Sequence, residues 1–192
     1  MNNTNILIVG VGGQGTILSG RIIAQVAQDA GLDVKVSEIH GMSQRGGSVI
    51  TQVRFGKKVW SPIIPNGQAD IMLAFEKLEA LRSLHWMSND GKMIINDKEL
   101  HPMPVISGEM GYPSDIKEKV RAKNDQVIFL DASDIAQKAG NVRSLNLVLL
   151  GCLSRYLPMP KEDWIKAIRS IVKPHTLEIN LTAFELGREA IK

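Results

Sequence analysis

The first part of the chain alternates between apolar and polar positions in the order of a strand, a helix and a second strand. Residues 6–9, ILIV, form a short unbroken apolar run, which is typical of a strand covered on both faces. Apolar residues then recur at helical spacing from about residue 15 to residue 30, and Gly31 follows at a position where helices commonly end. Val34 and Val36 alternate with polar neighbours, as in a strand. This part of the chain predicts a βαβ unit.

The pattern changes after the second predicted strand. Residues 38–47 are polar and rich in glycine without any period, so they predict a loop. Residues 48–55 alternate as a half-buried strand, residues 56–58 turn the chain, and residues 59–64 return as a further strand. This hairpin makes the predicted sheet mixed rather than wholly parallel.

The rest of the chain resumes the alternation of strands and helices and ends in helices. The predicted strands are short apolar runs at residues 71–75, 92–96 and 126–130. The predicted helices cover residues 76–84, 114–122, 142–157, 161–172 and 177–191. Because no linker-like change in composition interrupts residues 1–192, we expect a single domain. The expected fold is α/β: a three-layer, Rossmann-like domain with a mixed, mainly parallel sheet, a β-hairpin and a helical C-terminus.

Charge and hydropathy argue against several kinds of partner. The 192 residues carry a net charge of +3 without a basic run interleaved with aromatics, so no nucleic-acid partner is expected. No apolar run approaches the roughly 18 residues of a membrane span, and the N-terminus lacks the basic start of a signal peptide. We therefore expect a cytoplasmic protein with no membrane partner.

The cysteine and histidine content argues against a metal centre in this chain. Cys152 is the only cysteine, which excludes an internal disulfide and an iron–sulfur cluster or zinc site held mainly by this chain's thiolates. It lies in an apolar helical stretch, where a small buried side chain is expected. His85, His101 and His175 share no short spacing typical of metal ligands, so no metal site is predicted.

A glycine-rich turn follows the first predicted strand and opens the first predicted helix. Gly10, Gly12, Gly13, Gln14 and Gly15 belong to GVGGQG, which satisfies the pattern G-x-G-x-x-G. Glycines there allow a tight turn and let backbone N–H groups approach a phosphate at the helix N-terminus. These five are the predicted cofactor-binding residues. The pattern is equally compatible with a turn that only packs a helix against the sheet.

A dinucleotide site would also need an acidic residue at the end of the second strand, where it binds the ribose hydroxyls. Asp33 precedes that predicted strand and Glu38 lies just past it, so neither is well placed. A free-standing Rossmann-type oxidoreductase that uses NAD(P) or a flavin is the alternative interpretation, and it rests on the glycine pattern alone.

A second candidate site is the polar loop HGMSQRGG, residues 40–47. It brings together an imidazole, a hydroxyl, an amide and a guanidinium at the expected carboxyl end of a strand, an edge where open α/β sheets bind ligands. Imidazole is suited to proton transfer near neutral pH, and guanidinium to holding a carboxylate or phosphate. The predicted catalytic residues are His40, Ser43, Gln44 and Arg45. The structural alternative is a polar loop whose side chains hold its own backbone.

Five segments taken together resemble a known family. In chain order, along residues 6–187, they are strand–GVGGQG–helix, VSEIHGMSQRGGSVITQVRFG, ADIMLAFEKLEALR, NLVLLGCL and LEINLTAFELG. The chain resembles the gamma-type subunits of 2-oxoacid:ferredoxin oxidoreductases, and within that family the branch of small (beta) subunits of indolepyruvate ferredoxin oxidoreductases. HGMSQRGG is the more specific part of this resemblance, because a lone glycine pattern is a weak signal.

The resemblance implies a subunit of an enzyme rather than a self-sufficient enzyme. The holoenzyme would decarboxylate an arylpyruvate on thiamine diphosphate with Mg²⁺, pass electrons through [4Fe-4S] clusters to ferredoxin, and transfer the acyl group to coenzyme A. With one cysteine and no G-D-G motif of the thiamine-diphosphate type, this chain leaves those cofactors to a larger (alpha) partner subunit. The isolated chain would be inactive, and a homodimer of it would be compatible with the surface left exposed by the missing partner.

The resemblance also implies roles for the two candidate sites. This type of domain lies beside the thiamine site and is associated with the coenzyme A side of the reaction. Arg45 would hold an anionic group there, and His40, Ser43 and Gln44 would offer hydrogen bonds. The glycine turn would either meet a phosphate or only position the helix. In a third interpretation the chain is a non-catalytic binding module whose polar loop is a protein interface.

Overall fold

The computed structural model describes residues 3–41 and 47–191. Within these ranges six strands form one sheet with the order β2-β3-β1-β4-β5-β6. The strands are β1 (Thr4–Val11), β2 (Asp33–His40), β3 (Ser48–Gly56), β4 (Ala69–Ala74), β5 (Met87–Asn96) and β6 (Val127–Leu130). β3 is antiparallel to both of its neighbours, whereas β1, β4, β5 and β6 pair in parallel. The expected mixed, mainly parallel sheet is confirmed.

Helices fill most of the remaining described residues. They are α1 (Thr16–Asp29), α2 (Lys77–Arg82), α3 (Met103–Ile106), α4 (Ile116–Lys123), α5 (Ala132–Lys138), α6 (Leu145–Ser154), α7 (Lys161–Ile171) and α8 (Leu177–Glu189). The sequence pattern does not predict α3 and α5, two short helices of 4 and 7 residues. None of the helices in the described ranges is both long enough and apolar enough to cross a membrane.

The sheet separates two apolar cores, which produces the expected three layers. Along β1, Ile6 and Ile8 face one core and Leu7 and Val9 face the other, and all four side chains are fully buried. α1 and α5 to α8 pack on the first face, whereas α2 and α4 pack on the second. The expected helical C-terminus is confirmed, and it lies on the same face as α1.

The β-hairpin is present, but it is formed by β2 and β3 and not by the expected return of residues 59–64. That segment contains Pro62, which cannot donate to a strand ladder. Its backbone is held by side chains instead: Ile64 N donates to Gln52 Oε1 at 2.6 Å, and the Arg54 guanidinium donates to two carbonyl groups of the segment. The predicted strand at residues 59–64 is therefore wrong.

The insertion of β3 between β1 and β2 is a second difference from the expected topology. β1, α1 and β2 follow one another and both strands point the same way, but they are not neighbours in the sheet. The β2–β3 ladder runs from Asp33 to His40, so residues 38–40 belong to a strand rather than to the loop expected over residues 38–47. The ladder thus carries His40 to the same edge of the sheet at which β1 ends.

Candidate functional site

The glycine turn lies at the carboxyl end of β1, in the middle of the sheet. From β1 the chain continues into α1 on one face, and from the neighbouring β4 it continues into α2 on the other face. In open α/β sheets such a reversal opens a crevice at the carboxyl ends of the strands, where ligands bind. The topology therefore places the turn where this type of fold leaves room for a ligand.

Three glycines are required by the geometry of the turn itself. Gly13 and Gly15 have φ angles of +97° and +90°, which residues with side chains rarely adopt. A Cβ on Gly10 would lie 2.8 Å from Gln14 Oε1 and 2.9 Å from Phe75 Cβ. Backbone conformation and close packing therefore account for these glycines without a ligand. The case for a ligand depends on the groups that surround the turn.

The Gln14 side chain closes the turn. Its Oε1 accepts from Val11 N at 2.7 Å, and its Nε2 donates to Phe75 O at 3.3 Å. Gly15 precedes α1 as a cap without a side-chain acceptor, and no acidic residue lies in the described first turn of that helix. The groups left for a ligand are therefore backbone N–H groups at a helix end that carries partial positive charge, which favours an anion.

A cleft of about 890 Å³ opens at this helix end. The turn and the first part of α1 line one part of the cleft, and the end of β2, with His40, and the start of β3 line the rest. The structure thus brings together His40 and the glycine turn, which the sequence offered as separate candidates. Ser43, Gln44 and Arg45 lie outside the described residues, and their roles stay predictions.

His40 is the last residue of β2 and is about half exposed. Its Nε2 lies 3.7 Å from Glu38 Oε2, since residues two apart on a strand share a face. The imidazole is therefore available to the cleft as a hydrogen-bonding group, with a carboxylate beside it.

Arg21 is a cleft residue that sequence reasoning missed. It lies on α1 four residues after Ile17, so both are on the same side of the helix and both line the cleft. Its side chain is exposed, as is usual for an arginine on a helix, and composition alone gives no reason to select it. The only signal in the sequence is its position on α1, six residues after Gly15, which is between one and two helical turns from the glycine-rich segment.

A hydrogen-bond network joins the start of β3 to the glycine turn and to α2. Gly12 N donates to Gly47 O at 2.9 Å, and Gly41 N donates to Ser48 O at 3.0 Å. The Ser48 hydroxyl in turn donates to Glu79 Oε2 at 2.5 Å. The position of the cleft wall therefore depends on contacts from the other face of the sheet.

Glu79 and Glu76 are buried carboxylates to which sequence reasoning gave no role. Glu79 is 4% exposed and also accepts from Arg82 at 2.7 Å. Glu76 is 1% exposed, caps α2 by accepting from Glu79 N at 2.9 Å, and accepts from the Tyr112 hydroxyl at 2.6 Å. Burial, followed by the Glu76 carboxylate, raises the pKa of Tyr112, which keeps it protonated as a donor. The one feature of the sequence that could have drawn attention to Glu76 is its position as an acidic residue at the start of a predicted helix, where it can act as a cap.

Cys152 is buried among apolar side chains on α6, and its Sγ donates to Gly187 O at 3.1 Å. Burial raises the pKa of this thiol to about 12, so it is neither a nucleophile nor a metal ligand at neutral pH. In the part of the chain that the structure describes, no group of three or more His, Cys, Asp or Glu side chains is placed to hold a metal ion.

The sequence model of the pyruvate ferredoxin/flavodoxin oxidoreductase family matches residues 5–190. The chain belongs to this family, and the resemblance carried by its motifs is confirmed. Two relatives match nearly the whole chain. Indolepyruvate oxidoreductase subunit IorB of Thermococcus kodakarensis is 40% identical over 197 residues, covering 100% of this chain and 98% of the relative. IorB of Archaeoglobus fulgidus is 42% identical over 187 residues, covering 95% and 92%.

Solved structures share the fold. The gamma subunit of a keto/oxoacid ferredoxin oxidoreductase from Geobacter sulfurreducens superposes with a TM-score of 0.72 at 24% identity, covering 97% of this chain and 96% of that one. A 2-oxoglutarate:ferredoxin oxidoreductase from Magnetococcus marinus, solved with 2-oxoglutarate, coenzyme A and succinyl-CoA bound, has a TM-score of 0.76 at 20% identity. The superposition covers 100% of this chain but only 32% of the Magnetococcus marinus chain, so there the same fold is part of a longer chain.

Proposed function

We propose that this chain is the small subunit of a ferredoxin-dependent indolepyruvate oxidoreductase. The reaction converts an arylpyruvate and coenzyme A into an arylacetyl-CoA and CO₂, and the electrons released pass to ferredoxin. The observation that carries the proposal is the identity of 40–42% with four IorB subunits over nearly the whole length of both chains.

The groups that perform the oxidation do not fit the residues of this chain. Its one cysteine is buried and protonated, which leaves no thiolates for a cluster. Thiamine diphosphate supplies the decarboxylation chemistry when it is bound. We therefore assign it, its Mg²⁺ and the [4Fe-4S] clusters to a larger (alpha) subunit, through which ferredoxin is reduced.

An exposed apolar surface supports a partner of this kind. Met103, Ile106 and Met110 lie close together in sequence on the connection between β5 and α4, and they are 72%, 65% and 64% exposed. Apolar side chains this exposed are commonly covered by another protein. Their exposure also explains why the isolated chain would be compatible with a homodimer.

The role proposed for this chain is to hold coenzyme A, with its diphosphate at the glycine turn. The backbone N–H groups at the start of α1 and the Arg21 guanidinium line one cleft, and they supply positive charge for the diphosphate. His40 offers a hydrogen bond from the opposite wall, and Ser43 and Gln44 are proposed to do the same. Arg45 is proposed to hold an anionic group. The related enzyme from Magnetococcus marinus was solved with coenzyme A bound, which supports this choice of ligand.

The topology disfavours the alternative of a free-standing Rossmann dehydrogenase. In that fold the second strand neighbours the first, so its terminal acidic residue reaches the ribose beside the glycine turn. Here β3 separates β2 from β1, which places Glu38 about 10 Å of sheet away from β1. The glycine turn therefore lacks the partner that a dinucleotide needs.

The proposal is tested in the holoenzyme, prepared anaerobically by co-expressing this chain with the larger subunit. We expect a brown complex that reduces ferredoxin only when both arylpyruvate and coenzyme A are present. Arg21→Ala should raise the KM for coenzyme A about tenfold and leave the KM for arylpyruvate unchanged, since one charge-assisted contact is lost. Lys138→Ala, which removes an exposed charge paired with Asp134, is the matched control. A colourless lone protein with a bound dinucleotide would contradict the proposal.

Arg45→Ala separates catalysis from assembly. If the polar loop touches reactants, turnover or coenzyme A dependence falls while the two subunits still co-purify. If the subunits no longer co-purify, the loop is an interface and the binding-module interpretation holds.

A further inference from the structure

The connecting segment, residues 100–112, lies between β5 and α4 and includes the short helix α3. Its exposed apolar side chains are Leu100, Met103, Ile106 and Met110. Four side chains of this size and exposure present on the order of 500 Å² of apolar surface, which is a large patch for a monomer. Only His101 and Glu109 in the segment carry or can gain a charge near neutral pH. The segment is therefore an apolar surface with little charge.

Backbone hydrogen bonds gather these side chains into one patch. Met110 N donates to Pro104 O at 2.9 Å, and Ser107 N donates to Met103 O at 2.8 Å. The first of these bonds folds the end of the segment back onto α3, which carries Met103 and Ile106. Met110 therefore lies beside the exposed residues of that helix.

The buried Glu76 carboxylate holds both ends of the connecting segment. Its Oε1 accepts from Leu100 N at 3.2 Å and from the Tyr112 hydroxyl at 2.6 Å, while its Oε2 caps α2. Hydrogen bonds of this kind offset the cost of burying the charge. A surface that is already held in shape loses little conformational entropy when a partner binds it. The connecting segment is thus preformed for binding.

The connecting segment stands beside the cleft at the carboxyl edge of the sheet. A pocket of about 240 Å³ separates it from the glycine turn, with His101 and Pro102 on one side and Val11 and Gly12 on the other. Gly12 also lines the cleft on the other side of the turn. A protein that covers the connecting segment is therefore a neighbour of the cleft.

The composition and area of the patch fit a permanent subunit. Permanent interfaces are more apolar than those of transient partners, and their centres are enriched in Met and depleted in charge. A stable interface buries about 800 Å² on each partner, so it must extend beyond the patch onto the adjoining edge of the sheet. The thiamine-bearing subunit must approach the same edge to meet coenzyme A in the cleft. A second copy of this chain placed there would occupy that approach.

We propose that the connecting segment is the surface on which the larger subunit docks, and that Glu76 is the positioning residue that holds this surface in shape. The inference rests on the proposed function, which gives this chain a thiamine-bearing partner. Docking at this place brings the partner to the glycine turn without a contact on the far edge of the sheet.

The test is the dissociation of the co-expressed holoenzyme on dilution. It measures the enzyme concentration at which ferredoxin reduction per mole falls to half. Met103→Ser and Ile106→Ser should each raise that concentration about tenfold and leave turnover of the concentrated enzyme unchanged. Trp60→Ser is the matched control, because Trp60 is 86% exposed but follows the end of β3, level with the start of β1. It should change neither value.

Two further variants test the role of Glu76. Glu76→Ala removes the acceptor from both ends of the segment and should also raise the half-dissociation concentration about tenfold, whereas Glu76→Gln, which keeps an acceptor oxygen, should restore most of the affinity. Tyr112→Phe removes one donor and keeps the ring. It should raise the concentration about threefold with an unchanged circular dichroism spectrum, so the test stands even if Glu76→Ala fails to fold.

The outcomes separate this inference from the proposed function. Unchanged dissociation of the Met103→Ser and Ile106→Ser enzymes, or equal weakening by Trp60→Ser, would overturn the docking surface while the activity of these enzymes upholds the proposed function. So would an Ile106→Ser change that abolishes a homodimer of the isolated chain in light scattering but leaves the holoenzyme intact. Unchanged dissociation of the Tyr112→Phe enzyme would overturn the role of Glu76. A wild-type complex that reduces no ferredoxin with arylpyruvate and coenzyme A would overturn the proposed function itself.

Discussion

Replacement of Glu79 tests how strongly the network around Ser48 holds the cleft wall. Glu79→Ala removes the acceptor of the Ser48 hydroxyl and of the Arg82 guanidinium. Loss of a buried, charge-assisted hydrogen bond costs about 1.5–3 kcal/mol. The Arg82 side chain is 52% exposed, so its ion pair adds only about 0–1 kcal/mol. We expect the free energy of unfolding to fall by about 2–3 kcal/mol.

The measurement is a urea titration of this chain followed by circular dichroism, with two reference variants. Glu79→Gln keeps one acceptor oxygen and should lose only about 1 kcal/mol. Glu162→Ala removes an exposed carboxylate on α7 and should change stability by less than about 0.5 kcal/mol. Because Ser48 is next to Gly47, whose carbonyl accepts from Gly12, Glu79→Ala should also raise the KM for coenzyme A in the holoenzyme.

Equal stability of Glu79→Ala and the wild-type chain would refute this reasoning, because it would mean that the buried network contributes nothing. An unchanged KM for coenzyme A in a variant that is measurably destabilised would refute the link between the network and the cleft.

Three further predictions concern two glycines and the buried thiol. Gly15→Ala forces a side chain into φ +90° and should lower the unfolding free energy by about 1–2 kcal/mol in urea, whereas Gly111→Ala, which has open space around it, should not. Gly187→Ala would place a Cβ 2.1 Å from Val148 O between α6 and α8, so calorimetry should show a clearly lower Tm; an unchanged Tm would contradict this close packing. Because the pKa of Cys152 rises from 9.0 to about 12 on folding, its contribution to stability is present below pH 9 and is lost as the pH rises toward 12. Between pH 9 and pH 12, the free energy of unfolding should therefore fall less steeply with pH for Cys152→Ala than for the wild-type chain. Identical slopes for the two proteins would contradict the burial of the thiol.

Local sequence patterns predicted most helices and strands, because the spacing of apolar residues depends on which faces of an element are buried. The apolar run at residues 6–9 lies in β1, and the helical spacing over residues 15–30 matches α1. The prediction failed at residues 59–64, where a turn after β3 suggested a returning strand, because side chains rather than a strand ladder hold this backbone. Such contacts come from residues distant in sequence, so no local period reports them.

The candidate site was predicted in pieces. The glycine turn was identified from a motif, and His40 from its place in a polar segment at the end of a strand. Arg21 and Glu79 were not identified, since an exposed arginine and an acidic residue in the first turn are ordinary features of a helix. Ser43, Gln44 and Arg45 remain predictions from the sequence.

The sequence by itself determined the class of fold, the glycine turn, the absence of a cysteine set for a cluster and the resemblance to one family. All of these depend on residue type and on spacing along the chain. Only the tertiary structure decided that β3 lies between β1 and β2, that His40 lines the same cleft as the glycine turn, and that the starts of α6 and α8 line one groove. These features depend on which strands pair and which helices pack together, and a local pattern of burial is the same for several such arrangements.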